Sequence, residues 1–166
     1  MELVTTSEQA MWLLIPSIPI CLYVIYTDLS EMRIPNTMVI ALLLVFAIFG
    51  FMALPLDEYL WRYSHFAVVL FIGFLLSAFV GIGAGDAKFA AAMAPFVALG
   101  DWHVAMLLYM AFAIGGLILH KTARAIGPIQ RAAAGWTSFD PDMGHFPLGI
   151  SLAAMHITYL SLAAFA

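Results

Sequence analysis

Five long apolar runs, at about 10–27, 37–54, 64–81, 103–120 and 146–166, constrain this chain more than any other feature. A hydrocarbon layer about 30 Å thick takes roughly 20 apolar residues as a helix, and its dryness obliges the backbone to satisfy its own hydrogen bonds. Runs of this length predict an all-α, polytopic membrane protein. Composition agrees, because 64% hydrophobic and 10% charged residues lie far outside the range of soluble domains. No polar stretch is long enough to fold by itself, so residues 1–166 read as a single membrane-embedded domain. The six Lys and Arg are scattered over separate loops and form no basic face, which argues against nucleic acid as a partner. Glu2 and Glu8 precede the first run without a cation, the wrong charge for a secretory signal, so that run is expected to remain as a span. Pro16 and Pro19 within it remove backbone donors and predict a kink.

A sixth segment, 84–99, is short, carries Asp86 and Lys88 near its start and contains Pro95. Charge decides whether it spans. If it does, Arg33, Lys88, Lys121, Arg124 and Arg131 share one side of the membrane and Arg62 stands alone on the other. If it does not, Arg33 and Lys88 are stranded away from the remaining cations. The positive-inside rule therefore predicts six transmembrane helices with both termini on the non-cytoplasmic side. Asp28, at the exit of the first span, and Asp86, at the start of the fourth, then arrive at the same cytoplasmic face.

Ionisable groups at membrane depth are costly and mark functional sites by default. Asp86 follows Gly81, Gly83 and Gly85, which lack β-carbons and permit close backbone approach. That pattern serves an extended peptide lying beside the acid, and serves helix packing or a turn equally well. No strand precedes the glycines and Lys88 is not followed by Ser or Thr, so the phosphate-binding fingerprints fail. At a helix start, Asp86 gains from the helix dipole and from Lys88, whereas Asp28 near a helix end does not. An asymmetric carboxylate pair is expected, with Asp86 the readier carboxylate and Asp28 the readier proton holder, titrating as one unit. Taken singly, an N-cap role for Asp86 and an interfacial role for Asp28 account for each equally well. Pro35 fits the first turn of the second helix and Asn36 a local hydrogen bond there. The five His form no compact ligand cluster, so no metal and no other cofactor is expected. Cys21 is the only cysteine and can form no internal disulfide. Trp12, Trp61, Trp102 and Trp136 stand near span boundaries, as interfacial indoles do.

Together, Tyr26-Thr27-Asp28-Leu29, Ile34-Pro35-Asn36, Gly83-Ala84-Gly85-Asp86-Ala87-Lys88 and Phe146-Pro147-Leu148-Gly149 resemble the prepilin peptidases, membrane aspartic proteases of the GxGD class. The resemblance implies that Asp28 and Asp86 are the catalytic dyad, that Gly83 and Gly85 are the motif glycines, and that Lys88, Pro35 and Asn36 support them. It implies an aspartic endopeptidase, multi-pass in the cytoplasmic (inner) membrane, that cuts the leader from type IV prepilins and prepilin-like membrane proteins. With one cysteine and a short first cytoplasmic loop, the chain is similar to the compact form associated with Flp pili and Tad secretion machinery. Presenilin-like proteases place a tyrosine directly before the first aspartate, where Thr27 stands here; archaeal preflagellin peptidases are nearer neighbours.

Two other classes compete on the residues alone. A small proton-coupled transporter would relay protons through Asp28 and Asp86, but spans two and three carry no charge to continue the path. A non-catalytic component of a secretion system would use the glycines for packing and would tolerate Asp→Asn at both positions.

Overall fold

The structure, a computed structural model, describes residues 3–140, 142 and 144–166; Glu2 lies outside them. The described residues form helices and turns with no strand. Helix α1 spans Ser7–Glu31 and opens on a reciprocal cap, the Gln9 N–H donating to the Thr6 hydroxyl and the Thr6 N–H to the Gln9 side chain. It runs through Pro16 and Pro19 as one helix and stops where Met32 turns left-handed, φ 51°, its N–H donating back to the Asp28 carbonyl. Helix α2, Asn36–Ala53, starts after Pro35 and contains a π turn over Phe46–Gly50. Helix α3, Leu56–Val80, ends on Gly81 at φ 81°, the conformation that glycine adopts most readily.

Helix α4, Ala84–Met93, tightens into a 3-10 turn over Ala94–Phe96 at Pro95. A second 3-10 turn, Leu99–Asp101, leads into α5, Trp102–Ala125. After a short helix at Gly127–Ala132 and a turn at Thr137–Phe139, α6 covers Leu148–Ala164. Four stretches, Ser7–Glu31, Asn36–Ala53, Leu56–Val80 and Leu99–Ala125, are long and apolar enough to cross a membrane. The 17 residues of α6 and the 10 of α4 are shorter than that. Pro35 stands at the cap, one residue before the first turn, because the helix begins with Asn36.

Hydrogen bonds gather the helix ends into two sets. At one end the Ser7 hydroxyl donates to the Ala164 carbonyl at 2.8 Å. There the Asp101 carboxylate accepts the Val4 N–H at 2.8 Å, the Thr5 N–H at 3.1 Å and the Tyr159 hydroxyl at 2.9 Å. At the opposite end lie Asp28, Ile34, Gly85 and Gly149. Helices α1 and α6 pack along one another, and α4 is held against α3. Near the Asp101 end Arg62 of α3, 1% exposed, donates to the carbonyls of Pro95 and Phe96 and pairs with Glu58 at 2.6 Å. These carbonyls close α4 and have no helical partner of their own, so a buried guanidinium supplies the donors. Farther along, a β-carbon at Gly73 would lie 2.9 Å from that of Ala87, and glycine at 73 is what lets the two backbones approach.

Several polar groups sit inside the apolar core while large apolar side chains stand outside, unlike a soluble protein. Asp28, Arg62, Asp101 and His156 are buried, while Phe71, Phe79 and Leu119 stand open on α3 and α5. Such outward faces need a hydrocarbon solvent. The interior is nevertheless well packed: the Phe46 ring lies 5.6 Å from Tyr59, 5.4 Å from Tyr63 and 5.3 Å from Phe96.

Candidate active site

Asp28 occupies the last turn of α1 and is 4% exposed. Helix α6 begins behind it, and the free N–H groups of that helix start point at the carboxylate. The Gly149 N–H donates to Asp28 Oδ2 at 2.7 Å, and the Ile150 N–H adds a second backbone donor. A β-carbon at position 149 would lie 2.7 Å from the same oxygen and 2.8 Å from Ile34 Cδ1, so glycine is required for the approach.

Asp86 is the third residue of α4, with Gly83 at the cap. It is therefore no N-cap. Its carboxylate folds back over the helix start, where a β-carbon on Gly83 would fall 2.5 Å from Oδ2. Gly83 has φ −55°, so the missing side chain makes room for the carboxylate and no unusual backbone angle is involved. Gly85 faces Ile34, whose Cβ would lie 3.5 Å from an added β-carbon. Ile34 thus touches both the Gly85 turn and Gly149, a single apolar side chain wedged beside both acids.

The two carboxylates lie within electrostatic reach of each other, and Tyr109 of α5 lies within reach of Asp86. Asp86 makes no hydrogen bond to another described residue and borders a cavity of about 510 Å³ between α3, α4, α5 and α6. Lys88 turns the other way: its exposed ammonium donates to Asn36 Oδ1 at 3.3 Å, joining the start of α2 to α4. Among the described residues no bond links Lys88 to either aspartate, and none forms a metal-holding cluster of His, Cys, Asp or Glu. His120 instead donates to the Ser138 carbonyl at 3.0 Å and anchors the loop that precedes α6.

Sequence reasoning named Asp28, Asp86, Gly83, Gly85, Lys88, Pro35 and Asn36, and the structure gathers all seven at one end of the bundle. It missed Tyr109 at this end and, at the opposite end, the inward pairing of Arg62, which it had counted only as a loop cation. The Glu58 and Arg62 spacing of four residues on an apolar helix was a legible signal for the second; nothing local marks Tyr109.

A helical bundle with outward apolar faces and two carboxylates within electrostatic reach at one end is of the class of membrane proteins that hold acids at a helix-bundle end. The type IV leader peptidase family matches residues 15–120, well over half of the chain, and the chain belongs to that family of peptidases. The matched stretch holds both Asp28 and Asp86 and stops before Gly149. No curated protein and no solved structure matches the chain.

Proposed function

We propose that the chain is an aspartic endopeptidase in which Asp28 and Asp86 act as one catalytic pair, and that residues 1–166 form a single membrane-embedded peptidase domain. The observation that supports this reading is their placement: two acids far apart in sequence lie at one helix-bundle end, each beside a glycine whose β-carbon its carboxylate would clash with.

The chemistry follows from the pair. A carboxylate takes a proton from water as the water oxygen bonds to the scissile carbonyl carbon. The protonated partner donates to the carbonyl oxygen. As the tetrahedral intermediate collapses, the hydroxyl that re-forms the carbonyl returns its proton to the partner acid, and the departing amine takes the proton held by the other, which restores the pair to one proton. The Gly149 N–H holds Asp28 Oδ2 as an acceptor, which leaves Oδ1 the freer oxygen of that carboxylate for the shared proton. Asp86, bordering the cavity, is the acid that substrate and water reach first.

The substrate class follows from the family and from the setting: a prepilin-like membrane protein with a leader at the cytoplasmic face, of the Flp type, with pilus or Tad machinery as the wider partner. Six crossings with both termini outside the cytoplasm agree with the two gathered sets of helix ends, and the inner membrane is the location.

The test is co-expression with a tagged Flp-type prepilin, following leader removal by gel shift at matched membrane levels. The parent is expected to cleave, and Asp28→Asn and Asp86→Asn to leave the precursor intact. Near-parent cleavage by either variant would refute the pair.

A further inference from the structure

Helix α3 packs on α4 and helix α5 packs on α6, but α5 barely touches either α3 or α4. The cleft they leave is the cavity of about 510 Å³ that ends on Asp86. We propose that it is the docking groove for the apolar membrane helix of the substrate, seated with its cleavable bond at the Asp86 end; this rests on the peptidase reading above.

Three properties point to that occupant. The first is length. The α3 wall runs from Trp61 to Leu76, about 22 Å at a helix rise of about 1.5 Å per residue, most of the depth of a bilayer core. The second is the floor, where Ala87, Ala90, Ala94 and Ala98 supply small side chains, with Met93 and Val97 between them. Lipid tails gain nothing special from so shallow a surface, whereas a second helix packs its backbone closely on small residues. The third is continuity with the acid pair. The walls carry Val68 and Ile72 on α3 and Met106 on α5, all exposed and apolar, and the one carboxylate along the groove is Asp86 at its end. A helix laid on this floor delivers its terminal peptide bond to that carboxylate, with Asp28 behind it. Recognition is then of the helix-in-groove kind, with the small floor setting how near the bond comes.

The experiment uses the full chain in lipid nanodiscs with a prepilin-type substrate that keeps its apolar helix. A photo-crosslinking amino acid replaces Ile72, Met106 or, as a control on the exposed face of α2, Ile48. Substrate adducts from positions 72 and 106, absent from 48 and lost with excess unlabelled substrate, are the expected result. Adducts to lipid or to a second copy alone, or equal adducts from position 48, would overturn the proposal. Independently, Ala90→Phe overfills the floor and is expected to raise KM by about tenfold. If the parent cleaves and this variant keeps its KM, the groove is wrong and the peptidase reading stands. If the parent does not cleave, both readings fall together.

Discussion

The Gly149 N–H donates to Asp28 Oδ2 at 2.7 Å, a bond across 121 positions of chain that ties the start of α6 to the end of α1 at the acid pair. It orients one carboxylate of the proposed pair by backbone alone, and glycine is the only residue that permits the approach.

Gly149→Ala should therefore impair chemistry more than folding. Its β-carbon would stand 2.7 Å from Oδ2 and 2.8 Å from Ile34 Cδ1, so Asp28 or the helix must move by several tenths of an ångström. Misplacing a reacting group on the scale of 1 Å costs about a hundredfold. Leader cleavage is expected to fall by about tenfold to a hundredfold while helix content by circular dichroism stays at the parent level.

Gly83→Ala should act on the other acid. The added β-carbon would overlap Asp86 Oδ2 and force the carboxylate off the helix start, although the backbone at φ −55° accepts alanine freely. Loss of cleavage with an unchanged melting temperature is expected. A melting point that drops with the activity would point to packing instead.

Arg62→Leu tests the closure of α4. Removing the guanidinium leaves the carbonyls of Pro95 and Phe96 without their donor in a buried place, and takes the partner from Glu58. A loss of about 1–3 kcal/mol is expected, read as an earlier unfolding midpoint in detergent.

Asp101→Ala tests the opposite end. Its carboxylate collects the Val4 and Thr5 N–H groups and the Tyr159 hydroxyl. Losing an ionised acceptor there is expected to cost about 3 kcal/mol of stability. Specific activity of the protein that remains folded should hold, since the acid pair lies at the far end.

The Lys88 contact is weaker. Its ammonium bonds Asn36 at 3.3 Å in an exposed setting, for which a coupling of about 1 kcal/mol or less is expected. A double-mutant cycle of Lys88→Met and Asn36→Ala, read from unfolding midpoints, measures it. Lys88→Met should also leave the pH–rate profile of cleavage at the parent shape, because the ammonium faces Asn36 and not the pair.

What the sequence by itself determined is whatever depends on local pattern. Apolar runs near the bilayer thickness set the helical class, and their boundaries fall within about five residues of α1, α2, α5 and α6, whereas the run at 64–81 misses the first eight residues of α3, where Asp57, Glu58 and Arg62 dilute the apolar pattern. Asp28 and Asp86 stood out because charge is expensive among such residues, and the order of motifs around them carried the family. The tertiary structure decided what depends on distance across the chain. Pro16 and Pro19 do not interrupt α1, since its packing along α6 holds the helix together around two missing donors. Asp86 became the third residue of its helix and not the cap, because its carboxylate takes the space that Gly83 leaves empty. Lys88 serves Asn36, Gly149 serves Asp28, and Arg62 closes α4 from a neighbouring helix. None of these partners lies within hydrogen-bonding reach along its own helix, apart from Glu58 for Arg62. Local periodicity can say which residues face inward, but only the assembled bundle says whom they meet there.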